Sequence, residues 1–177
     1  MKQGNPGILI LTFLLLTFSF SLEAAGAQER PAIKPLPQLP AAAGSTTPKG
    51  WLDDYSKAVV IARQTNRPLM VFFTGSDWCG WCRKLRQDVL DTAAFMKFAQ
   101  ANLVMVFVDS PRRIKLPDHL VRSNQSLSVM LRASGGVPNT ILLDSQGGRL
   151  GNIGGYRQDF QAEVTRLLRK AGYKTVK

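Results

Sequence analysis

Two cysteines, Cys79 and Cys82, are the only thiols in a chain of 177 residues, and they stand two residues apart in Trp78-Cys79-Gly80-Trp81-Cys82. The stretch follows an apolar run and opens a predicted helix. On a helix's first turn, thiols at this spacing close a disulfide with little backbone movement, and the partial positive charge of the helix N-terminus favours a thiolate on the first of them. The pattern points to a dithiol that cycles between reduced and oxidised forms.

Other uses of a Cys-x-x-Cys pair need partners that this sequence does not supply. A structural zinc takes four ligands, whereas the chain offers two cysteines and one distant histidine, His119. Haem attachment needs a histidine directly after the second cysteine, and Arg83 stands there. A purely structural disulfide remains as the alternative, although so short a loop constrains the unfolded chain little.

The elements that must position the pair can be read from periodicity. Trp51, Leu52, Tyr55, Val59 and Ala62 recur at helical spacing, which predicts an amphipathic helix from Trp51 to about Thr65, stopped by Asn66-Arg67-Pro68. Leu69 to Phe73 is a continuous apolar run of strand length, as expected of a strand covered on both faces. Thr74-Gly75-Ser76-Asp77 turns the chain into the dithiol helix, which should run to about Leu90. Asp91-Thr92 then caps a short helix through Ala101, and Leu103 to Val108 gives a second buried strand. Strand, helix and strand make a β-α-β unit with parallel strands.

Asp109 to Asp118 reads as a solvated loop with a basic run, Arg112, Arg113 and Lys115, for which steering of an acidic client is the competing reading, and His119 at its edge as an ordinary surface or capping residue. Asp77 likewise reads as a solvated loop carboxylate. A helix from Leu120 to Ala133 ends at Ser134-Gly135-Gly136. Strands at Asn139 to Asp144 and Arg149 to Ile153 flank a Gly-rich turn, and a helix from Asp159 to Ala171 puts Phe160, Val164, Leu167 and Leu168 on one face. There are no internal repeats.

This order of elements resembles the thioredoxin fold, an α/β architecture with a central mixed sheet of about four strands flanked by helices. The segment from Phe73 to Leu85, which contains Trp78-Cys79-Gly80-Trp81-Cys82, is similar to the active-site region of exported bacterial thioredoxin-like proteins. Gly136-Val137-Pro138-Asn139-Thr140 resembles that family's cis-proline loop, and the likeness runs from about Trp51 to the C-terminus. The resemblance implies that Cys79 is the exposed nucleophile, Cys82 the buried resolving thiol and Pro138 a cis-proline opposite them. It also implies that Trp78 shields the site, while Gly80, Trp81, Val137 and Pro138 meet the substrate. Two departures stand out. Thioredoxin has Gly-Pro between its cysteines where this chain has Gly80-Trp81, and it buries a carboxylate where this chain has Phe72 and Phe73.

The N-terminus reads as a secretory signal, residues 1–27. Lys2 gives a weak basic start, Ile8 to Phe20 a nearly unbroken apolar run, and Ala25-Gly26-Ala27 a small-x-small cleavage site. Removal of these 27 of the 177 residues would leave 150. Export to the periplasm is expected, with membrane tethering if the signal stays. Residues 28–49 are rich in Pro and Ala and read as an extended linker, and residues 50–177 as the thioredoxin-like domain. Outside the cytoplasm disulfides persist, and a chain of this size does not need one pair as a staple.

The net charge of +11 favours acidic partners or weak association with anionic membranes and says nothing about fold. Its basic residues do not interleave with aromatics as in nucleic-acid motifs, so no nucleic acid is expected as a partner. The function expected is exported thiol-disulfide oxidoreduction through Cys79 and Cys82, in the reductive direction, with client proteins and a thiol-disulfide relay as partners and no cofactor or metal. The competing reading is a tethered module that grips extended polypeptides and carries an incidental dithiol.

Overall fold

A computed structural model describes Met1 and residues 43–176; the signal segment and most of the Pro/Ala-rich linker lie outside the described residues. The order of elements is helix α1 (Tyr55–Thr65), strand β1 (Leu69–Thr74), helix α2 (Gly80–Leu85) continued by a π-helical turn (Arg86–Leu90), and helix α3 (Ala93–Asn102). Strand β2 (Val104–Asp109), helix α4 (Asp118–Met130), strands β3 (Asn139–Leu143) and β4 (Arg149–Gly154), and helix α5 (Phe160–Lys170) follow.

The four strands form one mixed sheet in the order β2-β1-β3-β4. β1 runs parallel to β2, with Leu69 opposite Val104 and Thr74 opposite Asp109, and antiparallel to β3, with Phe73 opposite Asn139. β3 and β4 are antiparallel. The expected mixed four-stranded sheet is present. Among the described residues no helix is long and apolar enough to cross a membrane.

β1 and β2 are buried along their whole length, as their unbroken apolar runs require. Because side chains alternate across a strand, consecutive residues of β1 serve two cores. Met70 and Phe72 pack with Leu85, Val89 and Leu90 behind the dithiol helix, together with Phe160, Val164 and Leu168 of α5. Leu69, Val71 and Phe73 pack with Ala58 and Ala62 of α1 and Leu127 of α4. The dithiol helix therefore stands on a floor that is closed from both sides.

The first helix begins later than its periodicity predicts. Leu52 bridges to Val106, its N–H donating to the Met105 carbonyl at 2.9 Å and its carbonyl accepting from Phe107 N–H at 2.8 Å. Asp54 then caps α1, accepting the Lys57 N–H at 3.1 Å. Trp51 thus enters the core from extended chain, 3% exposed, against Phe72 and Phe107 at ring separations of 5.9 and 5.8 Å. At its other end the helix stops at Asn66, whose φ of 48° places it in the left-handed region. The break before α3 is where the sequence puts it, with Thr92 Oγ1 accepting the Phe95 N–H.

Candidate active site

Cys79 is the N-cap of α2. Its sulfur accepts the Cys82 N–H at 3.1 Å, as a capping oxygen would. The two cysteines are joined in a disulfide across Cα atoms 5.2 Å apart. Cys79, expected to be exposed, retains only 6% of its surface, because its sulfur folds over the helix N-terminus and lies 3.5 Å from the Val137 carbonyl oxygen. Cys82, one turn further in, is fully buried. Only the first sulfur has an outlet.

The loop opposite is built to bring backbone to that outlet. Gly135 and Gly136 have φ of 106° and 87°, which a side chain would disfavour, and they deliver the chain into a cis Val137-Pro138 bond. Pro138 accepts the Gly155 N–H at 2.9 Å, and Asn152 of β4 donates to Asn139 and to the Thr140 carbonyl. Of the expected companions of the dithiol, Val137 and Pro138 lie on this loop, and Gly80 and Trp81 stand on α2 between the two cysteines. Gly80 is exposed, Trp81 is 61% exposed, and Val137 is half-buried beside Cys79.

Trp78 is held more firmly than a shielding role requires. Its Nε1 donates to the Ser110 carbonyl at 2.8 Å, and the Arg112 guanidinium lies 4.0 Å from its ring centroid. Gly75 makes room for it, since a Cβ at that position would run into the indole. Trp81, pointing the other way, stacks on Tyr156 at 5.6 Å. Tyr156 donates to Asp88 at 2.6 Å, and Lys84 pairs with the same carboxylate at 2.8 Å. Lys84 and then Tyr156 hold the Asp88 carboxyl below its ordinary range.

Asp77 stays partly exposed, as its loop position implies, but it is also tied down. It accepts the backbone N–H groups of Arg112, Arg113 and Ile114 at 3.0, 2.6 and 2.9 Å. Partial desolvation opposes its ionisation, but these N–H groups prevail and hold the carboxyl below its ordinary value. The basic loop that follows β2 is thereby anchored through its backbone, while Arg112, Arg113 and Lys115 stay exposed, as expected of a solvated loop. Nothing local in the sequence signals the contact, because donor and acceptor are 35 to 37 residues apart.

Ser76 completes the link, donating from its N–H and hydroxyl to Asp109 at 2.8 and 2.5 Å. Asp109 is 3% exposed and also accepts from Thr46, so the end of the Pro/Ala-rich segment packs beside the same turn. Phe72 and Phe73 are buried and apolar, so this part of β1 supplies no acid beneath the dithiol. His119 is exposed in the first turn of α4.

Sheet order, a helix-capping dithiol and a cis-proline loop facing it define a thioredoxin-type oxidoreductase scaffold. A sequence model of the thioredoxin-like family matches residues 50–145, and the chain belongs to that family. It is 33% identical over 155 residues to the disulfide bond reductase DsbH of Chlamydia pneumoniae, a match covering 87% of this chain and 88% of that protein. It is also 30% identical over 106 residues to the thioredoxin-related protein DsbJ of the same organism, covering 60% of this chain and 30% of DsbJ. The solved structure of a DsbH oxidoreductase superposes with a TM-score of 0.62 at 28% identity, over 77% of this chain and 94% of the other.

Proposed function

We propose that this chain is an exported thiol-disulfide oxidoreductase that reduces disulfides in client proteins. The observation that carries the proposal is the asymmetry of the pair: Cys79 caps the helix and keeps 6% of its surface open to solvent, while Cys82 is fully buried behind it. A nucleophile needs access and a stabilised thiolate, and a resolving thiol needs protection from solvent reagents and a short path to its partner.

In the reductive direction the Cys79 thiolate attacks one sulfur of a client disulfide. A mixed disulfide forms, and the client's other sulfur leaves as a thiolate that takes up a proton. Cys82, deprotonated, then attacks the Cys79 sulfur, closes the Cys79-Cys82 disulfide and expels the second client thiolate. Two electrons have passed from the protein to the client. A relay protein with a more reducing dithiol must restore them, and no bound cofactor or metal takes part. The name of the DsbH relative supports the reductive direction. The basic start, apolar run and small-x-small site within residues 1–27 support export to the periplasm.

Within this scheme Trp78, Gly80, Trp81, Val137 and Pro138 form the rim a client touches. Backbone groups beside Pro138 suit an extended segment, which pairs through its main chain. The test is reduction of a protein disulfide by the pre-reduced chain, compared with Cys79→Ser. Loss of turnover in the variant is expected. A variant that keeps its activity would favour the polypeptide-binding module with an incidental dithiol.

A further inference from the structure

Three consecutive residues before Cys79 all grip one distant segment. Ser76 binds Asp109, Trp78 binds the Ser110 carbonyl, and Asp77 gathers the N–H groups of Arg112, Arg113 and Ile114. The segment carries Arg112, Arg113 and Lys115, all exposed. None of the three is in an ion pair among the described residues, and Arg112 is laid against the Trp78 ring. The fold has fixed a cluster of cations to the residue next to its nucleophile.

Fixing matters for recognition. Cations on a free loop would be mobile, and would lose side-chain and backbone entropy whenever they engaged a partner. Here the backbone of 112–114 is held by a carboxylate that consumes its N–H groups, and its side chains project from a set position. Two of the nearby acids are otherwise engaged: Asp77 by those N–H groups, and Asp109 by Ser76 and Thr46. Asp118, at the far end of the loop, lines a cavity of about 320 Å³ together with Ile114, Lys115 and Val121.

We propose that this arch is a specificity surface for acidic polypeptide, binding client segments that carry carboxylates beside the disulfide to be reduced, with Asp77 as its positioning residue. The inference rests on the oxidoreductase reading above. Arg113 and Lys115 attract the acidic flank while Arg112 on Trp78 sets its distance from Cys79. Charge complementarity of this kind acts chiefly on the rate of encounter and falls with salt.

The experiment uses the full-length chain, pre-reduced and freed of reductant. It is mixed with two synthetic peptides closed by the same disulfide, one flanked by glutamates and one by lysines, and with the neutral bis(2-hydroxyethyl) disulfide. The expected result at low salt is a rate constant on the order of tenfold higher for the acidic peptide, with the gap closing at high salt. The double variant Arg113→Glu, Lys115→Glu should reverse the preference while leaving the rate with the neutral disulfide unchanged. Asp77→Ala should weaken the preference by releasing the loop. Equal rates for the two peptides, or a preference that survives the double variant, would overturn this inference alone. A chain that reduces none of the three disulfides would overturn the oxidoreductase reading and this inference with it.

Discussion

The sulfur of Cys79 lies 3.5 Å from the carbonyl oxygen of Val137, across 58 residues of sequence. In the disulfide neither atom carries a proton, so the approach is a contact. Backbone beside the reacting sulfur is what an extended client segment would have to displace or pair with.

Because Cys82 is fully buried, it should act only after Cys79 has reacted. Cys82→Ser is expected to accumulate a mixed disulfide between Cys79 and a client, visible as a reductant-sensitive mass increase. Cys79→Ser should form none.

Gly75 lies against the indole of Trp78, where a Cβ would collide. Gly75→Ala should displace the ring from the Ser110 carbonyl and destabilise the fold by about 1–3 kcal/mol, as overpacking does. Urea unfolding measures the second effect and tryptophan fluorescence the first.

Trp51 is buried among Phe72 and Phe107, yet its Nε1 has no hydrogen-bond partner among the described residues. Trp51→Ala should cost about 3–5 kcal/mol. Trp51→Phe should cost much less, because removing a buried unpaired N–H recovers about 1–3 kcal/mol of desolvation penalty against the lost volume. Thermal or denaturant unfolding of both variants distinguishes these outcomes.

Asp77 titrates below its ordinary value in the folded chain, so its hold on residues 112–114 is complete above that value and is lost only as pH falls through the lowered one. The fluorescence of Trp78, stacked on Arg112, should therefore stay constant through neutral and mildly acidic pH and change below about pH 4. Asp77→Ala should lack the transition and show the acid form's signal at neutral pH.

The legible parts of this protein were those written in local pattern. Unbroken apolar runs marked β1 and β2, a 3.6-residue repeat placed Phe160, Val164, Leu167 and Leu168 inward, and the Cys-x-x-Cys spacing located the dithiol. Trp51 and Leu52 misled because their spacing continues the phase of α1, whereas a bridge to Val106 and the Asp54 cap keep them extended. The backbone contacts of Asp77 were hidden for the opposite reason. A carboxylate in a turn next to a tryptophan looks solvated unless the loop after β2 is known to return beside it, and only the parallel register of β1 and β2 brings the two together.

The most direct test is a redox titration of the Cys79-Cys82 pair in thiol-disulfide buffers, followed by tryptophan fluorescence. One cooperative two-electron transition is predicted, with a potential nearer the roughly −270 mV of a thioredoxin-type reductant than the roughly −120 mV of a disulfide donor. A potential at the oxidising end would reverse the proposed direction of electron flow. The absence of any two-electron transition would contradict the oxidoreductase function itself.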